Sequence, residues 1–290
     1  MHFDLSAAWD SALRIFRGSW QLLLVLAGIF VLLPNLAFSF AMPELMTGGA
    51  FQDVPANAEP EQVFAQIGPM LGSLFLVMSV LTLIQAIGQM AMMAVTDPSR
   101  PTVGQSIRIA FSALPTMIGV FILMLLAYLA AVLVLMVPVG LLAYAAGEGV
   151  GAALAGLLAI PLLLVGLGYL ATRLSMTMPA VILGEERNPV AAIKRSWQVT
   201  QKPAWRLFAY YALLVICYLV ISMVFGLLFT GLTALGGGLE DGAALGPAMI
   251  VNLLFSSILA GFIAALSVAI FAAVWLQLVG EGRSVATTFD

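Results

Sequence analysis

Side chains that could do covalent or metal chemistry are scarce in this chain. It has one histidine, His2, and one cysteine, Cys217. A catalytic Ser-His-Asp triad, a Cys-His pair and a zinc site therefore all lack the residues that they need. The chain also has no G-x-x-x-x-G-K-[ST] loop for nucleotide phosphates. We expect a protein that is not an enzyme and that uses no cofactor, no metal and no nucleic acid.

The densest group of reactive side chains is basic. Six of the eleven lysines and arginines fall in one stretch that begins at 173 and ends at 206. Near an anionic membrane surface each cation contributes about 1 kcal/mol to binding. These residues are candidate ligands for lipid headgroups, and the alternative is that they only fix the orientation of the chain in the membrane. They are Arg173, Arg187, Lys194, Arg195, Lys202 and Arg206.

A second set of candidates is polar but uncharged. Asn35, Gln85, Gln89 and Asn252 lie inside long apolar runs, where no clear ionisable residue occurs at mid-depth. Proton-coupled transport needs such ionisable groups and is therefore disfavoured. Gln85 and Gln89 are four residues apart and share one helix face. They either form hydrogen bonds between helices or line a path for a neutral or lipid-like solute.

The composition indicates what kind of secondary structure contains these residues. Hydrophobic residues make up 62% of the 290 residues, charged residues only 9%, and the mean hydropathy is +1.10. A soluble domain carries roughly 25% charged residues, so water is a poor solvent for this chain. Apolar runs of about 20 residues predict transmembrane helices. We predict one all-α, polytopic membrane domain over 1–290. Its six spans are Trp20–Ala41, Pro69–Val95, Leu114–Val137, Ala152–Ala171, Leu207–Thr230 and Ala248–Leu278.

With these six spans, all lysines and arginines fall on one side of the membrane. Every lysine and arginine lies before the first span, between the second and third, between the fourth and fifth, or after the sixth. The other three connections carry only acidic charges, such as Asp53, Glu148 and Glu240. Since basic residues stay on the cytoplasmic side, both termini are predicted to be cytoplasmic. We expect a multi-pass protein of the bacterial inner (plasma) membrane.

Each basic segment that leads into a span has the pattern of a short amphipathic helix. Asp4 is a plausible N-cap of the first, Thr102 and Gln105 form a capping box in the second, and Asn188 with Pro189 begins the third. The three segments resemble one another and suggest parallel repeats over 1–98, 99–184 and 185–290. The alternative is that any basic amphipathic segment before a span has this pattern.

The sixth span carries a stripe of small residues at intervals of four. Ser257, Gly261, Ala265 and Ala269 therefore share one face, on which a neighbouring helix can approach closely. We expect internal packing here, with a contact between copies of the chain as the alternative. Pro34, Pro138 and Pro161 are placed to kink or end helices.

One segment resembles a known family. It runs from Arg173 through Pro179, Gly184 and the acidic turn Glu185-Glu186, and on through Asn188-Pro189 to Ser196-Trp197 and Thr200. It is similar to bacterial six-span proteins related to the membrane domain of glycerophosphoryl diester phosphodiesterases and to the YciC-like inner-membrane family. The resemblance implies an inner-membrane protein, suggests a link to glycerophospholipids, and offers no catalytic residues.

These observations favour a non-enzymatic membrane protein whose partners are membrane lipids, anionic phospholipid among them, or a membrane-associated protein. The interaction is expected at the cytoplasmic leaflet. A transporter or channel for a neutral or lipid-like solute is the first alternative. A membrane subunit of a lipid-metabolising enzyme complex is the second.

Overall fold

Nearly all of the described chain is helical. A computed structural model describes residues 4–41, 60–97, 99, 101–146, 150–235 and 247–286, and these contain no strand. Helices are expected for so apolar a chain because a backbone in hydrocarbon must satisfy its hydrogen bonds within its own segment. The helices are α1 (Leu5–Ala27), a π-helical turn (Gly28–Leu32), α2 (Leu33–Ala41), α3 (Pro60–Val95), α4 (Val103–Ala146), α5 (Val150–Leu174), α6 (Thr177–Ile182), α7 (Pro189–Val199), α8 (Ala204–Leu235) and α9 (Pro247–Ala286).

Six segments of the described chain are long and apolar enough to cross a membrane. Their flanks expose large apolar side chains, for example Phe75 at 76% and Leu164 at 69% of their surface. Soluble monomers rarely expose contiguous apolar surface on this scale. These side chains are therefore suited to contact with lipid. The segments are Leu5–Ala41, Leu71–Val95, Val103–Ala145, Gly156–Ile182, Ala204–Leu228 and Ile250–Gly280. The predicted all-α polytopic class is confirmed.

The basic segments before the spans differ from one another. The first two are not separate helices, because α1 and α4 continue unbroken from the basic segment into the apolar run. Gly18 and Pro115 lie at these junctions without ending the helix. Only α7 stands as a helix of its own before the next span. The prediction of a short helix before each span therefore holds at the third position alone.

The predicted helix starts are confirmed atom by atom. Asp4 Oδ1 accepts hydrogen bonds from the Ser6 and Ala7 backbone N–H groups at 2.9 and 3.3 Å. Gln105 Oε1 accepts from the Thr102 N–H at 2.9 Å, and Thr102 Oγ1 accepts in return from the Gln105 N–H at 3.4 Å. Each side chain satisfies a donor that the first turn of a helix leaves open.

A π-helical turn separates α1 from α2 directly before Pro34. The Leu33 N–H donates to the Gly28 carbonyl, five residues back, which widens the helix by one residue. A proline ring clashes with the carbonyl of the residue four positions earlier, and the wide turn gives that carbonyl room. Phe30 in this turn packs directly on Gly88 of α3, where even a methyl group would overlap it.

The helices cluster into two compact units. The first holds Phe111–Tyr218 with the chain segments up to Ile15 and from Ala269 onward. The second holds Phe16–Ala110 and Leu219–Val268. The first unit contains α5, α6 and α7, which carry the basic stretch that the sequence singles out.

Candidate functional site

The basic stretch begins with a buried arginine at the end of a membrane helix. Arg173 lies in the last turn of α5 and is only 3% exposed. A cation at this end of a helix is favoured by the helix dipole. The chain then turns at Ser175 and Met176 into α6, and α7 returns it to Arg173.

Two hydroxyl groups of the returning segment hold the backbone of Arg173. The Ser196 hydroxyl donates to the Arg173 carbonyl at 2.8 Å. The Thr200 hydroxyl lies 3.3 Å from the same carbonyl and 2.8 Å from the Ser196 carbonyl. Since the last carbonyls of a helix have no partner within it, these contacts fasten the end of α5 to α7. Ser196 and Thr200 are both fully buried.

The side chain of Arg173 packs on an aromatic ring. Its guanidinium carbon is 4.2 Å from the centre of the Trp197 ring, while Trp197 itself stays 42% exposed. A cation over the face of tryptophan gains about 0.5–2 kcal/mol, and most where water is excluded. The residues of the family-like pattern, Arg173, Ser196, Trp197 and Thr200, therefore form one cluster in space, which we call the Arg173 cluster.

The hydrogen-bonding capacity of this guanidinium is not used up. Among the residues that the structure describes, neither Nε nor Nη1 of Arg173 has a hydrogen-bond partner, although both atoms are buried. Leaving a buried donor unsatisfied costs about 1–3 kcal/mol, and more when the group is charged. The ring of Trp197 offsets part of the charge but accepts no bond in the plane of the guanidinium. The cluster is therefore electrostatically suited to an anion.

Exposed cations and tryptophans follow within the same unit. Lys194 and Arg195 are exposed on α7, Lys202 is exposed just before α8, and Arg206 is exposed in the first turn of α8. The Arg195 guanidinium lies 5.8 Å from the centre of the Trp275 ring. With Trp197 and Trp205, the four exposed cations form what we call the basic surface. Cations mixed with exposed indole rings are typical of segments at the headgroup level of a membrane.

The loop between α6 and α7 is held at several points. Asn188 caps α7, because its Oδ1 accepts from the Val190 and Ala191 N–H groups at 2.9 and 3.4 Å. The Thr116 hydroxyl of α4 donates to the Arg187 carbonyl at 2.9 Å, and the Arg187 side chain is exposed. Glu185 adopts a left-handed conformation, with φ at 54°. The predicted N-cap at Asn188 is confirmed.

The neutral polar candidates lie in the second unit, and a hydrogen bond joins two of them. Gln85 Nε2 donates to Asn35 Oδ1 at 3.0 Å, which joins α3 to α2. Gln89 is exposed on α3, and Asn252 is half-buried on α9. Gln85 therefore forms a hydrogen bond between helices, which is one of the two roles that the sequence predicts for it. A solute path lined by these residues remains a prediction.

The small residues of the sixth span lie inside the protein. Ser257, Gly261, Ala265 and Ala269 are all buried. A methyl group at Gly261 would stand 3.7 Å from the Ala27 Cβ, so α9 and α1 run close together at this level. An oligomeric contact through the sixth span remains a prediction.

Sequence reasoning missed the pairing of arginines with tryptophans. It listed Arg173 among the candidate ligands for lipid headgroups and Trp197 in the family-like segment, but it did not predict a contact between them. The available signal was the spacing along the chain: Thr200 follows Ser196 and Trp197 by about one helical turn. The contact of Arg195 with Trp275 had no such signal, since α9 is distant in sequence.

The helices and their exposed apolar flanks define an integral, multi-pass α-helical membrane protein. Residues 152–286 match the family model described as the membrane domain of glycerophosphoryl diester phosphodiesterase. The resemblance that the sequence suggests is therefore confirmed over that part of the chain, which includes the Arg173 cluster and the basic surface. Neither the comparison with curated proteins nor that with solved structures gave a match.

Proposed function

We propose that this protein is a non-enzymatic component of the bacterial inner membrane that binds anionic phospholipid at the cytoplasmic leaflet. The observation that carries the proposal is the basic surface: exposed Lys194, Arg195, Lys202 and Arg206 stand among exposed tryptophans beside membrane helices. Indole rings suit the headgroup level, and cations there attract anionic lipid. Both termini would then be cytoplasmic.

The geometry of α7 supports this role. Ala192 and Ser196 face the protein and are buried, while Val190, Lys194 and Trp197 are exposed. An amphipathic helix that keeps apolar and basic side chains outward can lie in the membrane interface. Its N-cap and its contact with Arg173 hold it as a preformed surface rather than one that folds on binding.

Retention of lipid by the purified protein tests the proposal. The quadruple variant K194Q/R195Q/K202Q/R206Q should lose most of the anionic phospholipid that the wild-type protein carries into native mass spectrometry. Four cations at about 1 kcal/mol each correspond to a loss of several hundredfold in affinity. The matched control R17Q/R108Q removes two exposed arginines elsewhere and should retain lipid. Undiminished retention in the quadruple variant would refute the proposal.

A second candidate function is a membrane subunit of a lipid-metabolising enzyme. The match over residues 152–286 favours it, because the description of that family names a phosphodiesterase with a membrane domain. In this case the basic surface would present phospholipid to a separate soluble hydrolase. Purification under mild conditions should then recover a hydrolase in fixed proportion to the protein. Its recovery only in trace and variable amounts would count against this function.

A further inference from the structure

We propose that the Arg173 cluster is a specific binding site for one phosphate group, separate from the exposed cations of the basic surface. The proposal deepens the function above and rests on it, since a phospholipid headgroup is the nearest source of phosphate. The site and the basic surface differ in kind. The basic surface attracts anions without fixed geometry, whereas the cluster offers a buried, oriented guanidinium.

Arg173 has hydrogen-bonding capacity that its surroundings do not use. Nε–H lies on one donor edge of the guanidinium and Nη1–H on the other, and both are buried without a hydrogen-bond partner among the described residues. Each edge therefore presents an unused donor. A charged donor taken out of water needs an acceptor of opposite charge to offset its desolvation.

The guanidinium is held in a fixed position. The guanidinium carbon lies over the Trp197 ring, 4.2 Å from its centre, and the Ser196 hydroxyl holds the Arg173 backbone carbonyl at 2.8 Å. A guanidinium fixed in this way loses little further freedom when it binds, and its planar fork matches the oxygens of phosphate. Nε–H and Nη1–H are the unused donors that an anion would contact.

The site lies at the end of α5. Arg173 is in the last turn of a helix whose preceding residues are apolar enough to span a membrane. The ends of such helices lie near the headgroups, where phosphate is the most abundant oxyanion. The same chemistry would admit a soluble phosphate ester, and the experiment separates the two sources.

Thermal unfolding of delipidated protein in an uncharged detergent is the test. Titration of the wild-type protein with phosphatidylglycerol should give a saturable rise in unfolding temperature at one lipid per chain, as expected for a ligand of the folded state. Diacylglycerol has the same chains without phosphate and should give no comparable rise. An equal rise with the two lipids would overturn the proposal. This comparison uses only the wild-type protein, so it does not depend on the folding of a variant.

Inorganic phosphate and glycerol phosphate form the second arm. A rise with these soluble probes as large as that with the lipid supports a phosphate site that is filled from solution. A rise with phosphatidylglycerol alone supports a phosphate site that is filled by lipid. No rise with any phosphate-bearing probe would overturn the proposal.

The variants separate this site from the basic surface. R173Q should bind phosphatidylglycerol about tenfold or more weakly, because it removes the charged donors. The matched control R108Q replaces an exposed arginine and should bind like the wild type. A purely structural role for Arg173 predicts lower stability with an unchanged lipid-dependent rise, which would overturn the proposal. Failure of the proposed function would instead be seen in the quadruple variant of the basic surface.

Discussion

Arg173 illustrates at the residue scale how a charge is kept inside a helical membrane protein. Two features of its surroundings act on the positive charge, the end of α5 and the face of Trp197, and the hydroxyl groups of Ser196 and Thr200 secure its backbone. Together they fix the side chain but leave two of its donors unused. Arginine suits this position better than lysine, since its flat group can stack and still donate in its plane.

Substitutions of Trp197 test the stacking. W197L should lower the stability of the protein by about 1 kcal/mol relative to W197F, because leucine fills space without presenting an aromatic face to the cation. The measurement is the midpoint of chemical or thermal unfolding in detergent. W205F and W205L form a comparison pair that measures the loss of aromatic–aromatic packing, since Trp205 contacts Tyr169 and Phe208. Equal stability of the two Trp197 variants would mean that the ring gives the charge no support.

Glu185 provides a second test at this scale. Its left-handed backbone, with φ at 54°, is unfavourable for any residue that has a side-chain Cβ. E185G should therefore stabilise the protein by about 1 kcal/mol. E186G is the matched control, because Glu186 does not share this conformation, and it should not stabilise. A loss of stability in E185G would show that the Glu185 carboxylate makes a contribution larger than the strain.

Residue chemistry predicted the helix caps but not the Arg173 cluster. A cap such as Asn188 is local, so its signal lies within a few residues of sequence. The burial of Arg173 depends on where α7 returns, which hydropathy does not report. An arginine at the end of an apolar run also has an ordinary interpretation, in which its head reaches the aqueous interface. The structure departs from that expectation, because the Arg173 side chain is buried in protein.

At the scale of elements, close contacts between helices replace the large apolar core of a soluble protein. Gly88 of α3 meets Phe30 in the π-helical turn, and Gly261 of α9 meets Ala27 of α1. Small residues allow two helices to approach closely, and the close approach adds dispersion contacts between the helices. The Gln85–Asn35 hydrogen bond joins the same two apolar segments as the contact between Gly88 and Phe30. It adds a directional contact to the packing.

Alanine at Gly88 tests the first of these contacts. Its methyl group would overlap Phe30, so G88A should destabilise the protein by about 1–3 kcal/mol, as overpacking generally does. G72A is the matched control on the same helix, because no described atom outside the adjacent helix backbone lies within 4 Å of the added methyl group there. Unfolding of both variants in the same detergent gives the comparison. Equal stability of G88A and G72A would contradict the contact.

The apolar runs correctly predicted where the membrane helices lie, but they predicted the ends of those helices less well. Apolar length fixes where a span must lie, since about 20 residues are needed to cross the hydrocarbon. It does not fix where the helix stops, and α1 and α4 continue through residues that the sequence assigned to separate helices. Inside a membrane a glycine such as Gly18 ends a helix less readily, because water does not compete for the backbone.

At the scale of the whole molecule, the account depends on all basic residues lying on one side of the membrane. The chain has eleven lysines and arginines, and the predicted six spans with cytoplasmic ends would place every one of them inside. Both the basic surface and the Arg173 cluster would then face the leaflet that is rich in anionic lipid. Three parallel repeats would give the same orientation, and they remain a prediction.

Labelling of single cysteines tests this arrangement most directly. Cys217 is replaced by serine, and one cysteine is introduced either at Asp53 or at Gln201, which are predicted to lie on opposite sides. A membrane-impermeant maleimide is added to intact spheroplasts and, in parallel, to lysed ones. The account predicts that D53C reacts in intact spheroplasts and that Q201C reacts only after lysis. Reaction of D53C only after lysis, or of Q201C before it, would contradict the account.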